Sequence, residues 1–137
     1  MELRVRPETL AVCRLAGGTL WPPPPGDGSL FSATSAGDGT AGSPEAGLAG
    51  ERSQVCREDL APSGIPVERG WRALTVAGPL DFALVGVVAD LTAPLARAGV
   101  SVFILSTYDT DHVLVRADSL DLAVTTLTAA GHTVTPA

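Results

Sequence analysis

Three aspartates, Asp81, Asp109 and Asp111, have the type and placement to grip a charged small molecule in this chain of 137 residues. Asp81 falls in a turn between an expected strand and helix, and Asp109 and Asp111 fall in the turn that closes another strand. Both turns follow the C-terminal ends of their strands, so they share one edge of the sheet, where open α/β ligand sites form. Three readings stay open: cap and turn chemistry, for which Asp is favoured, a metal cluster, or a site for a cationic or zwitterionic molecule. The remaining reactive residues offer less. His112 and His132 are the only histidines, and without C-x-x-C or H-x-x-x-H spacing no zinc site is expected. Ser106, Thr107, His112 and Asp109 would have to supply nucleophile, base and orienter, but no G-x-S-x-G elbow is present. No enzyme is expected, and no cofactor.

The elements that must position the aspartates follow from hydrophobic period. Trp71 to Ala77 alternates as a strand. Gly78 to Ala98 is expected to be a turn and a helix, with Leu84, Val88, Leu91 and Leu95 as its apolar stripe and Pro94 on the wet face. A kink is expected there, because Pro94 frees the carbonyl of Asp90 to water. Gly99 stops this helix. Val100 to Thr107 is apolar on nearly every residue and reads as a central strand, followed by a tight turn at Tyr108 to Asp111 and a strand at His112 to Arg116. Leu120 to Ala130 is a second helix, with Asp118 or Ser119 placed to cap it, Leu120, Ala123, Val124 and Leu127 on its inner face, and Gly131 ending it. His132 to Thr135 is the last strand. The order is β-α-β-β-α-β, a ferredoxin-like α+β sandwich.

A zwitterion suits the shared edge. Unpaired N–H groups at the start of the first helix, expected at Leu80 to Leu84, carry the positive end of the helix dipole and can hold a carboxylate. A nearby Asp can hold the ammonium.

The first half is less regular. Leu3 to Val5, Thr9 to Leu15, Ser29 to Ala33 and Ser53 to Cys56 each read as a short strand. Pro22 to Pro25 is extended, with Trp21 beside it to dock it on a core or to face a ligand. Residues 35–50, rich in Gly, Ala and Ser, cannot bury enough surface to offset their ordering entropy and are expected to form a mobile loop. Ala61 to Pro66 reads as a connector. Cys13 and Cys56 read as small reduced core residues, a redox pair only if the fold brings them together.

Composition excludes further classes. Nine bases against fifteen acids give a net charge of −6, and the bases, all Arg, are scattered; neither nucleic acid nor an anionic membrane is an expected partner. The chain contains no Lys, which removes P-loop and Schiff-base chemistry. No apolar run reaches the ~20 residues that cross a bilayer, and MELRVRPETL lacks the h-region of a secretory signal. A cytoplasmic protein is expected.

Gly78-Pro79-Leu80-Asp81-Phe82, the helix end at Ala98-Gly99, and Ser106-Thr107-Tyr108-Asp109-Thr110-Asp111 resemble the aspartate-kinase-like ACT family, to which small amino-acid sensors belong. ETLAVCRL and ERSQVC are similar, more faintly, to the family's degenerate first half. The resemblance implies two ACT-like modules, residues 1–64 and 65–137, with an amino acid bound between modules. Carried onto this sequence, it places Pro79, Leu80, Asp81 and Phe82 in the loop around the ligand and Thr107, Tyr108 and Asp109 on the opposing wall. A homodimer and a regulatory, non-catalytic role are further implications; the other role such modules fill is plain dimerisation.

Overall fold

The computed structural model describes residues 1–16, 29–36 and 50–137. Trp21, the run Pro22 to Pro25 and residues 37–49 of the expected loop lie outside them. The described chain parts into two units, Leu10–Arg69 and a second made of Met1–Thr9 with Gly70–Ala137. The division therefore does not fall once, at the connector of residues 61–66. The chain's first strand joins the later unit instead.

That later unit contains β1 (Glu2–Val5), most of β5 (Val67–Val76), α1 (Val87–Arg97), β6 (Val102–Ser106), β7 (Asp111–Arg116), α2 (Leu120–Ala129) and β8 (Thr133–Thr135). From β5 onward the order is β-α-β-β-α-β, the α+β arrangement expected. Its strands run β6-β7-β5-β1-β8, all neighbours antiparallel except β1 and β8. The short strand β1 is thus inserted between the first and last strands of the motif. Leu3 and Val5 alternate inward while Glu2 and Arg4 stay exposed, so the period of two that makes β1 a strand also gives it an apolar side to contribute. Leu3, Val5, Leu74, Val76, Val113 and Val115 meet Leu91, Leu95, Ala123 and Leu127 in one core.

The helices differ from expectation in instructive places. α1 begins at Val87, several residues later than its apolar spacing suggests, because Gly86 takes a left-handed conformation with φ of 80° that L side chains avoid. Leu84 is outside the helix and exposed, and of the expected stripe only Leu91 and Leu95 are fully buried. Pro94 lies on the buried face beside them, not on the wet one. The Asp90 carbonyl that it frees is approached by His132 Nε2 at 3.3 Å. A carbonyl only accepts, so Nε2 carries the proton, which leaves Nδ1 to accept from the Met1 amine at 3.2 Å. At the other end Gly99, φ 75°, leaves the helix as its sequence position suggests. In α2 the inner residues Ala123 and Leu127 are buried, but Ser119 makes no side-chain cap bond and a 3-10 turn, Ala117–Ser119, leads in instead.

β6 is also not central: among the described strands it pairs only with β7. Its uninterrupted apolar run has a different cause, cover on both faces. Val102 and Ile104 pack on the helix-side core, while Phe103 sits 6.2 Å from the Trp71 ring, which Arg116 caps at 4.1 Å.

The unit Leu10–Arg69 contains β2 (Leu10–Ala16), β3 (Ser29–Ala36) and β4 (Gly50–Arg57), with β4 antiparallel to both of the others. A 3-10 turn, Glu58–Leu60, follows. Cys13, Cys56 and Ala11 form a small buried cluster lined by Ala61, Ile65 and Val67.

Candidate functional site

Two loops meet at the C-terminal ends of β5 and β6. Residues 77–86 leave β5 and residues 107–110 join β6 to β7. The Leu80 amide donates to the Asp109 carbonyl at 2.7 Å, and Thr110 Oγ1 donates to the Val76 carbonyl at 2.6 Å. The approach depends on glycine: a Cβ on Gly78 would lie 2.9 Å from the Asp109 carbonyl oxygen and 3.2 Å from Thr110 Cβ. Backbone on the far side cannot give way as a side chain tip would.

Between these loops and the start of α1 lies a cleft of about 470 Å³. Of the seven residues that the family resemblance named, six line it, Leu80, Asp81, Phe82, Thr107, Tyr108 and Asp109, and so does the candidate Asp111. Pro79 does not; it lines a separate cleft with Arg4, Arg6 and Thr75. The sequence reading missed Gly86, Val87, Val88 and Ala89, which form another wall. It sought the helix start at Leu80 to Leu84, but those residues are loop, and the Leu84 amide is spent on the Asp81 carbonyl at 3.0 Å. The signal overlooked was Gly86, a break ahead of the first well-packed helical turn.

The chemistry of the cleft is one-sided. Asp81, Asp109 and Asp111 line it with Ser106 and Thr107, and none of its lining residues is a base. Asp81 Oδ1 accepts from the Ala83 amide at 2.8 Å, a local Asx turn that fixes the carboxylate. Asp111 Oδ1 accepts from Ser106 Oγ at 2.5 Å. Ser106 is thereby committed to a carboxylate rather than to an imidazole. His112 turns elsewhere: it is buried, with Nδ1 2.9 Å from Thr75 Oγ1. Burial, and next the Arg6 guanidinium, hold it below the ordinary imidazole value, with Asp111 pulling the other way. Apolar side chains complete the rim. Phe82 and Tyr108 pack edge to face with centroids 4.9 Å apart, yet remain 74% and 82% exposed.

A family model described as the ACT domain matches residues 66–129. Residues 66–129 are an ACT domain. Among known proteins, the human cytosolic arginine sensor for mTORC1 subunit 1 is 38% identical over 58 residues, 42% of this chain. That stretch is 18% of the sensor's own length. A structural-genomics protein from Agrobacterium tumefaciens is 27% identical with a TM-score of 0.77, over 99% of this chain and 92% of that one. The regulatory subunit of aspartate kinase from Thermus thermophilus, in a ligand-free form, has a TM-score of 0.61 at 12% identity, covering 93% of this chain and 95% of that one. At that identity the likeness is one of fold. The matched stretch of sequence includes both loops of the ACT cleft and the first turn of α1.

Proposed function

We propose that the ACT unit is a regulatory, non-catalytic module that binds a small amino acid in the cleft between the 77–86 loop, the 107–110 turn and the start of α1. The observation that carries this reading is that two kinds of group line one cleft. The first is the start of α1, where the amides of Val87, Val88 and Ala89 come ahead of the first helical bond, in which Asp90 N donates to the Gly86 carbonyl at 2.8 Å. Such amides and the helix dipole receive a carboxylate. The second is the set of carboxylates of Asp81, Asp109 and Asp111, which can receive an ammonium by charge-assisted hydrogen bonds. Three carboxylates without a base disfavour an acidic side chain on the ligand and suit a neutral or cationic one. The similarity to a protein named as an arginine sensor supports the same role.

Thermal denaturation with each of the twenty amino acids at millimolar concentration tests the proposal. A ligand that binds only the folded chain raises the midpoint by mass action. One or a few amino acids should do so, and Asp81→Ala and Asp109→Ala should each weaken the best of them by roughly 1–3 kcal/mol. A flat response to all twenty would remove the binding role.

A second reading, an ACT module that serves assembly without a ligand, is favoured by the exposed side chains of Phe82, Leu84, Val85 and Tyr108 at the same rim. Apolar clusters left open to water mark contact surfaces. A concentration-dependent sedimentation coefficient with no response to any amino acid is the result this reading expects.

A further inference from the structure

The ACT unit holds another cleft, of about 510 Å³, that shares no lining residue with the one proposed for an amino acid. It lies between the first turns of α2, Val5 at the end of β1, Arg72 on β5, and the segment that begins at Val134. Its volume is that of a ligand cleft, which runs from about 300 to 1,000 Å³. Val5, Leu120, Val124, Val134 and Pro136 give it an apolar lining. Leu120, Val124 and Val134 pack on the helix-side core but stay only partly buried, so they keep apolar surface that a ligand's hydrocarbon would remove from water.

Arg72 is the exception in this lining. Side chains alternate along a strand, and Arg72 has the parity of Leu74 and Val76, which belong to the helix-side core. It therefore stands on the core face of β5, where a charged residue is rare unless paired. Its pairing is incomplete. Nη2 donates to the Arg6 carbonyl at 2.8 Å, while Nε is buried with no hydrogen-bond partner. Asp121 lines the same cleft, yet no acidic side chain among the described residues forms an ion pair with Arg72. A half-buried guanidinium with no anion to answer its charge is costly, and an anion in the cleft reduces that cost.

The surroundings choose the anion. Among the described residues that line the cleft, Arg72 is the only base and Asp121 the only acidic side chain. A dianion such as phosphate would meet a single attraction and a repulsion. A carboxylate carries one charge, and its two oxygens match the fork of a guanidinium.

We infer that this cleft binds a small monocarboxylate with an apolar body, its carboxylate against the guanidinium of Arg72 and its hydrocarbon against Leu120, Val124 and Val134. The site stands apart from the amino-acid reading, because the two clefts have no residue in common.

The test is backbone and arginine-side-chain NMR of the full isotope-labelled chain, titrated with hexanoate, 4-methylpentanoate and phenylacetate at millimolar concentration. At least one of these acids should give saturable shifts at residues 120–125, at Val134 and at the Arg72 Nε–H. Its neutral primary amide, of the same shape, should bind roughly tenfold more weakly or worse, the loss expected when a charged hydrogen bond is removed. That comparison needs no variant. Arg72→Gln, shown by circular dichroism to be folded, should lose a similar factor, and inorganic phosphate should give no saturable shift at these positions. The assignment is overturned by the absence of saturable shifts there with all three acids, by an amide or phosphate that binds as tightly as the acid, or by undiminished affinity in Arg72→Gln.

Discussion

The core of the ACT unit and the rim of its cleft are built from the same kinds of residue put to opposite uses. Leu91 and Leu95 of α1 are fully removed from water. Four residues before α1 reaches Leu91, the backbone emerges from a loop whose Val85 is 91% exposed. What separates the two regions is one left-handed glycine, Gly86. Beyond it, helical period turns leucines into the core; before it, Phe82, Leu84 and Val85 have no period to obey and face solvent. Apolar content alone does not report packing, and the exposed portion is where a ligand can still gain from burial.

Substitutions can sharpen or break this contrast. The largest effect is expected in the core: Leu95→Ala should cost about 2–5 kcal/mol in chemical denaturation, as large-to-small changes at fully buried sites do. At the junction between loops, Gly78→Ala forces a Cβ against the Asp109 carbonyl and should cost about 1–3 kcal/mol, while also weakening ligand binding by spreading the two walls. A smaller effect comes from His112. Its depressed folded-state value means that the unfolded chain binds its proton first. Stability should therefore be full above about pH 6.5 and should fall as pH drops from there toward the lower folded-state value. His112→Gln should flatten that part of the pH profile. The smallest change in stability, within about 0.5 kcal/mol, is expected for Val85→Asn at the rim. A core-sized loss there would mean that the rim is packed and the contrast wrong.

Much of this architecture was legible because period and breakers are local. The strand at Trp71 to Ala77, the second helix and its stop at Gly131 follow from spacing alone, and so do the turns that carry Asp81 and Asp109. What escaped depends on partners distant in sequence. The insertion of β1 beside β5 pairs Leu3 with Val76, a match that no local window contains. The inward placement of Pro94 depends on the sheet beneath it, and the proton on His132 Nε2 is fixed by a carbonyl 42 residues away. The start of α1 was misplaced because Leu84 happens to continue the helical spacing, and only the conformation of Gly86 shows that the helix has not yet begun. That error moved the amides proposed to hold a carboxylate from residues 80–84 to 87–89 while leaving the three aspartates where they were expected.

The account turns on those amides. Backbone NMR of the isotope-labelled chain, titrated with the amino acid that most raises its melting midpoint, reads them directly. The account predicts saturable shifts concentrated at Val87, Val88 and Ala89 and along residues 107–111, with Asp81→Ala reducing affinity. Saturable shifts that leave these amides unmoved and map instead to the cleft lined by Pro79, Arg4 and Arg6 would contradict it.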